Sequence, residues 1–368
     1  MSRQLRPYLE AQADRVEAVL TAHRAPGRVT GGTVGPRLIR FFVNPAPHTR
    51  FAAIRKLADD LALALRVPNL HVQRNKEGIV LEFSNPEPRP VNFLTLMPEV
   101  TPLPAASVLL GLSDDGAPLL ARLSSPEVAH ILIAGTTGSG KSALLRAIAA
   151  SVILGHKPAT MRLLCIDPKG HTFRELSGAE HLTRPPVIGA READEALHSL
   201  VRVMETRDRR GETPDETFLV DGRHATPRIT VLVDELADLV MQGGANITEP
   251  LTRLLQRGRQ AGIHIVAATQ RPSAAVLSGL MRANFPLRLV GRVVSADDAR
   301  VASGRAGTNA HNLNGRGDFL AIGSQENPIR FQVAYINANE LQIHCQRANE
   351  KYLTSEVVPE KRLFQPGA

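Results

Sequence analysis

Residues 131–150 read Ile-Leu-Ile-Ala-Gly-Thr-Thr-Gly-Ser-Gly-Lys-Ser-Ala-Leu-Leu-Arg-Ala-Ile-Ala-Ala, and no other stretch restricts the fold as strongly. From Gly135 to Ser142 they satisfy G-x-x-x-x-G-K-[ST] at every position. An apolar run enters this motif and strong helix formers leave it, which is the strand–loop–helix context such a loop needs. Small residues at Gly135, Thr136, Thr137, Gly138, Ser139 and Gly140 let backbone N–H groups close around a phosphate, and the helix N-terminus adds partial positive charge. Lys141 can then reach the outer phosphates of ATP, and the Ser142 hydroxyl can ligate Mg2+. The plain alternative, a chance glycine-rich turn, does not account for strand, Lys-Ser pair and helix occurring together.

Size and composition set the outer limits. With 368 residues there is room for two or three domains, and 43% hydrophobic with 22% charged residues specifies a globular chain. Tryptophan is absent and aromatics amount to 4%, which argues against a stacking platform for single-stranded nucleic acid. The net charge of +8 favours a polyanionic partner without identifying one. Cys165 and Cys345 are far apart and show no metal-ligand or disulfide spacing, so a reducing cytoplasm is expected, with Cys165 a small core residue. No signal-peptide pattern and no run of ~18 apolar residues occurs, so no membrane insertion is expected.

The pattern along the chain divides it in two. Residues 2–24 have a helical stripe of Leu5, Leu9, Val16, Val19 and Leu20, stopped by Pro26-Gly27. A strand is expected from Thr33 to Val43 and a helix from Phe51 to Arg66 with Ile54, Leu57, Leu61 and Leu65 on one side. Short strands at Leu70–Gln73 and Gly78–Phe83 complete a small α+β domain, 1–105, closed by a proline-rich connector. Residues 1–110 carry 14 Lys and Arg against 9 Asp and Glu, so this part reads either as a nucleic-acid module or as a scaffold organising subunits. Beyond it, apolar runs at 130–134, 161–166, 229–233 and 263–268 alternate with helices. That pattern specifies an α/β domain, 106–353, whose mostly parallel sheet has helices on both faces, followed by a short tail, 354–368. Later runs at 287–294, 319–322 and 329–336 precede a closing helix over about 339–352, and Gly211–Arg228 reads as a polar surface loop.

A phosphate-binding loop needs a carboxylate on a neighbouring strand to hold Mg2+. Two apolar runs end in one, at Asp167 and Asp234. Asp234 is preferred because Glu235 follows it directly and can polarise an attacking water, whereas Asp167 is followed by Pro168 and is left near the site or as a turn cap. Gln270 follows the run 263–268, where a polar side chain at a strand's carboxyl end can sense the terminal phosphate; a loop glutamine bonded to backbone is its alternative. Arg257-Gly258-Arg259 precedes that run at a helix end. An arginine there either complements the helix dipole or serves a neighbouring subunit, and its position leaves both open.

The order of His130–Ser142, Ile166-Asp-Pro-Lys169, Val231–Leu239, Ala261–Ser273, Gly279–Pro286 and Gly315–Leu320 resembles the FtsK/SpoIIIE family of DNA translocases. The first domain, with Gly35-Pro36 and Leu57–Leu65, is similar to the family's α domain, which precedes a RecA-like β domain. The resemblance implies a RecA-like P-loop ATPase that works as a homo-hexameric ring on double-stranded DNA. It places Lys141 and Ser142 on the nucleotide positions, Asp234 and Glu235 on the second motif, and Arg259 on the finger supplied in trans. Arg316 and Lys169 are the basic residues it suggests near DNA, solvated turn residues being their alternative. Neither a membrane segment nor a γ winged-helix module is expected, which favours a compact relative serving a mobile element in DNA transfer or replication, recruited by an unidentified protein. Two other functions fit the same motifs: a type VII-like ATPase that moves protein, and an ATP-switched partition or initiation factor, against which Glu235 argues.

Overall fold

A computed structural model describes residues 5–75, 78–212, 214, 226–272, 279–325 and 327–355. The expected tail beyond residue 355 and most of the loop 211–228 lie outside the described residues. The chain forms two compact units, one of residues 1–90 with 114–117, the other of the remainder.

The first unit comprises α1 (Leu5–Ala22), β1 (Gly27–Val34), β2 (Leu38–Pro45), α2 (Phe51–Lys56), α3 (Ala58–Leu65), β3 (Leu70–Asn75) and β4 (Gly78–Ser84). Its antiparallel sheet runs β1-β2-β4-β3. The stretch expected as one strand from Thr33 to Val43 is a hairpin, because Pro36 offers no N–H to a ladder and Gly35 N–H closes the turn on Leu38 O at 2.7 Å. The helix expected over 51–66 is likewise broken at Leu57, whose ψ of 11° leaves the helical range. Val16, Leu20, Ile54, Leu61 and Leu65 still bury one stripe against Ile39, Phe41 and Phe83 of the sheet.

The second unit opens with β5 (Val91–Asn92), α4 (Phe93–Leu96), β6 (Ser107–Ser113) and β7 (Pro118–Arg122). It continues through β8 (Ile131–Ala134), α5 (Lys141–Gly155), β9 (Met161–Ile166), α6 (Ala190–Arg210), β10 (Arg228–Val233), α7 (Leu236–Gly243), α8 (Ala245–Arg257) and β11 (Ile263–Thr269). It ends with α9 (Gly279–Ala283), β12 (Leu287–Gly291), α10 (Ala296–Ser303), β13 (Asp318–Ile322), β14 (Ile329–Tyr335) and α11 (Ala338–Ser355). Residues 91–105, read from sequence as connector, pack here: Phe93, Leu96, Met97 and Leu103 join its core.

The large sheet runs β7-β6-β14-β13-β12-β8-β11-β10-β9, with β5 paired to β14. From β12 to β9 the strands are parallel; from β12 to β7 they are antiparallel. Alternate residues of the parallel strands enter opposite cores, as strand geometry requires. Ile131, Ile133, Leu163, Cys165, Leu232 and Val266 meet α5 and α11 on one face, and Leu132, Leu164, Ile166, Val231, Val233 and Ile265 meet α6, α7 and α8 on the other. With both faces covered, these strands must be apolar throughout, which is why they were visible as continuous runs. Burial pushes the thiols of Cys165 and Cys345 upward, so both act as small apolar core residues.

Candidate nucleotide site

The five parallel strands deliver their carboxyl ends to one edge of the sheet, where such sheets open a binding crevice. Gly135 leaves β8, Asp167 leaves β9, Asp234 leaves β10, Gln270 leaves β11 and Arg292 leaves β12. Register brings them level, with Ala134 opposite Thr269 and Val290, and Val233 opposite Ile166. Gly135, Asp167, Asp234 and Gln270, distant in sequence, thereby become neighbours.

The loop between β8 and α5 is shaped from both sides. Thr136 donates its N–H to Arg292 O at 2.8 Å. Two N–H groups of the turn before β13 bind the other side, Arg316 N–H to Gly138 O at 2.9 Å and Gly317 N–H to Ser139 O at 2.7 Å. Gly140 begins α5 with φ 110°, and a Cβ there would lie 2.6 Å from Gly317 N, so glycine is required on both counts. The turn is itself braced: Asp318, buried, takes a bidentate bond from Arg330 at 2.8 and 2.9 Å and the Asn314 N–H at 2.9 Å. Lys141 curls over the loop and donates to Gly135 O at 2.8 Å and Thr136 O at 3.1 Å. Burial lowers its pKa, while Glu235 and Asp234 favour its charge.

The acidic side faces it. Burial raises the Asp234 carboxyl above its usual range, opposed by a hydrogen bond from the Thr172 hydroxyl. Asp167 accepts the N–H groups of Lys169, Gly170 and Thr172 at 3.1, 3.0 and 2.6 Å, and so builds the turn that presents Thr172 to Asp234. Lys169, in that turn, pairs with Asp238 of α7 at 2.8 Å. Glu235 is buried at φ 62°, a left-handed conformation that costs a non-glycine residue about 1–2 kcal/mol. Its carboxylate accepts the Thr269 hydroxyl at 3.1 Å and the Gln270 N–H at 3.1 and 3.2 Å. The Gln270 side chain accepts the Thr137 hydroxyl of the phosphate loop at 2.7 Å.

These residues fit a magnesium nucleotide. Ser139 Oγ is buried without a hydrogen-bond partner among the described residues, and a Cβ on Gly135 would lie 2.7 Å from it. No cluster of three His, Cys, Asp or Glu ligands occurs among the described residues, and Mg2+ needs none, since it takes one or two protein oxygens and completes its shell with phosphate and water. Ser142 and Asp234 would be such a pair.

Arg259 lies elsewhere. It precedes β11, and the seven residues of that strand separate it from the phosphate edge by roughly 20 Å. It cannot serve the site of its own chain. Arg257 is tied to Asp208 of α6 at 2.6 Å. Arg316 is exposed, and its backbone, at φ 48°, is the part that grips the phosphate loop.

Buried imidazoles gather toward the amino edge, and they give the protein a defined acid response. Burial holds His130 near 4, with Arg259 adding to the shift, and holds His264 near 3; His181 is also near 4 through burial. A lowered folded-state pKa means the unfolded chain binds these protons first, so stability is full above pH ~6.5 and falls as pH drops, by up to ~1.4 kcal/mol per imidazole per unit. Urea midpoints measured from pH 7 to pH 4 are expected to fall steadily through this window. A flat profile from pH 7 to 5 would contradict the neutral, buried assignment.

A family model described as FtsK/SpoIIIE family matches residues 97–212 and 221–274, and one described as FtsK alpha domain matches residues 2–84. The chain belongs to the FtsK/SpoIIIE family. Within that family, DNA translocase SpoIIIE of Bacillus subtilis (strain 168) is 32% identical over 374 residues, covering 95% of this chain and 47% of that protein. DNA translocase FtsK of Sporosarcina ureae is 34% identical over 357 residues, covering 91% and 45%. The chain thus spans about half the length of the curated relatives it matches. Among solved structures, the conjugation coupling protein TcpA of pCW3 with ATPgS has a TM-score of 0.63 at 19% identity, covering 93% of this chain and 99% of that one. The cytoplasmic domain of the Thermomonospora curvata type VII secretion ATPase EccC has a TM-score of 0.58 at 24% identity, covering 71% and 32%. At these identities the likeness speaks for the fold alone. No helix of the described residues is long and apolar enough to cross a membrane.

The expected Lys141, Ser142, Asp234, Glu235 and Gln270 lie along one edge of the sheet. Sequence reasoning missed Thr269, Thr172 and the Asp318–Arg330 brace. The first two carried a faint signal, as polar residues close to an expected strand end; the brace carried none beyond a charged pair in neighbouring strands.

Proposed function

We propose that this FtsK/SpoIIIE-family chain is the ATP-driven motor of a double-stranded DNA translocase, working with Mg2+ as a homo-hexameric ring in the cytoplasm. The observation that carries this reading is the meeting of Lys141, Asp234, Glu235 and Gln270 at one sheet edge. DNA as cargo is supported by relatives that are named DNA translocases. Protein as cargo has the weaker support of a fold shared with a secretion ATPase.

In this reading Lys141 releases the loop carbonyls and spreads its charge over the outer phosphates. Ser142 and Asp234 would hold Mg2+, which would offset part of the phosphate charge. Glu235 takes the proton of the attacking water, and Gln270, at the loop's rim, senses the terminal phosphate. Arg259 serves the site of a neighbouring subunit, where an arginine supplied in trans is worth about 10³–10⁵ in rate. Arg316 and Lys169 are the proposed DNA-facing cations; contacts to phosphates, not base edges, suit a motor that moves over any sequence. A ring of this kind would serve a mobile element in DNA transfer or replication.

ATP turnover of the purified chain is expected to rise several-fold with duplex DNA at ~50 mM salt and to lose that stimulation by ~200 mM, as phosphate contacts are screened. Turnover indifferent to duplex but raised by a peptide would make protein the cargo.

A further inference from the structure

The carboxylate that acts as base in this reading is not free to act in the structure. Oε1 of Glu235 accepts both the Thr269 hydroxyl and the Gln270 N–H, and Oε2 accepts the same N–H. The direction of the hydroxyl is fixed. Thr269 Oγ1 accepts the Arg271 N–H at 3.1 Å, which leaves its own hydrogen for Glu235. Thr269 is fully buried and Glu235 nearly so, which shields these bonds from water. The adjacent residue reaches the other way, through the bond between Gln270 and Thr137 in the phosphate loop. Two consecutive residues therefore tie the base to the strand end and the strand end to the loop.

We propose that Thr269 is a positioning residue that withholds Glu235 from the water site in the resting protein, and that the Gln270–Thr137 bond makes its release depend on a triphosphate in the loop. The inference rests on the reading of this site as an ATPase. A general base must direct a lone pair at the proton it removes, within 2.6–3.2 Å. Here the donors of β11 hold the carboxylate toward the strand, on a left-handed backbone that a glutamate does not adopt by preference. The withheld state is thus maintained by its hydrogen bonds, and deleting one shifts the balance toward release. A triphosphate offers the Thr137 hydroxyl and the Gln270 amide a charged acceptor, which competes with the neutral bond between them. Displacement of Gln270 then moves the N–H that grips Glu235.

The test measures ATP turnover of the full chain without and with duplex DNA, for the wild type, Thr269→Val, Thr269→Ala and Thr269→Ser. Valine keeps the shape and removes the hydroxyl. It is expected to raise the DNA-free rate about tenfold, the effect of one net hydrogen bond, and to shrink the stimulation by DNA in proportion. Alanine tests the same bond should valine disturb the strand, and the same rise is expected. Serine, which restores the hydroxyl, is expected to return the ratio to the wild-type value. A DNA-free rate that stays level or falls in folded Thr269→Val and Thr269→Ala overturns the proposal, and if the wild type still responds to duplex, the translocase reading stands. A raised Thr269→Val rate in a protein that ignores DNA supports the withheld base and refutes the DNA reading.

Discussion

Glu235→Gln is expected to lower steady-state ATP turnover by about 10²–10⁴-fold while leaving nucleotide affinity within a few-fold of the wild type. Glutamine fills the same space but cannot take a proton from water. It also meets Gln270 N–H, which donates to both carboxylate oxygens, so an amide nitrogen replacing one of them would set donor against donor. Binding should survive because the phosphate loop, Lys141 and Asp234 are untouched. A fluorescent nucleotide titration beside a phosphate-release assay separates the two effects. The double variant Thr269→Val with Glu235→Gln is expected to be as inactive as Glu235→Gln alone, since releasing the side chain gains nothing once it cannot act as base. Turnover within about threefold of the wild type would place the base elsewhere.

The second large effect lies outside the motif. Asp318→Ala is expected to destabilise the second unit by about 3 kcal/mol, because it removes the bidentate partner of the part-buried Arg330 guanidinium. For a unit of this size that corresponds to a fall in melting midpoint of roughly 10 °C. Nucleotide affinity should fall as well, although the hydrogen bonds of Asp318 go to Asn314, Gly315 and Arg330. It anchors the Asn314 N–H and starts β13, and the turn it closes supplies the Arg316 and Gly317 N–H groups that hold Gly138 and Ser139. Thermal melts with and without ATP measure both consequences. A midpoint within about 2 °C of the wild type would show that the brace carries no load.

Legibility differed from element to element, and the differences have physical causes. The expected limits of β9, Met161 and Ile166, coincide with the observed ones because a strand covered on both faces must be apolar from end to end. The hairpin of β1 and β2 was read as one strand, although Gly35-Pro36 lay in the middle of it. In the antiparallel half of the sheet the runs 319–322 and 329–336 match β13 and β14, whereas β6 and β7 were not anticipated. β7 is short and mostly part-exposed, and nothing local says that β6 pairs with β14. Residues 91–105 looked like a connector for their prolines, yet Phe93, Leu96 and Met97 give them a place in the core.

The sequence by itself determined the phosphate loop, the strand-end carboxylates and the FtsK/SpoIIIE resemblance, because each depends on residue types at fixed spacing along the chain. Only the tertiary structure decided that Thr269 grips Glu235 across 34 residues and that Thr172 meets Asp234 across 62. It alone also decided that Gly315–Gly317 clasps the phosphate loop and that Arg259 stands too far from its own Lys141 to act there. Hydrogen bonds between strand ends exist only once register has aligned them, and register is set by the packing of both cores, which no local pattern encodes.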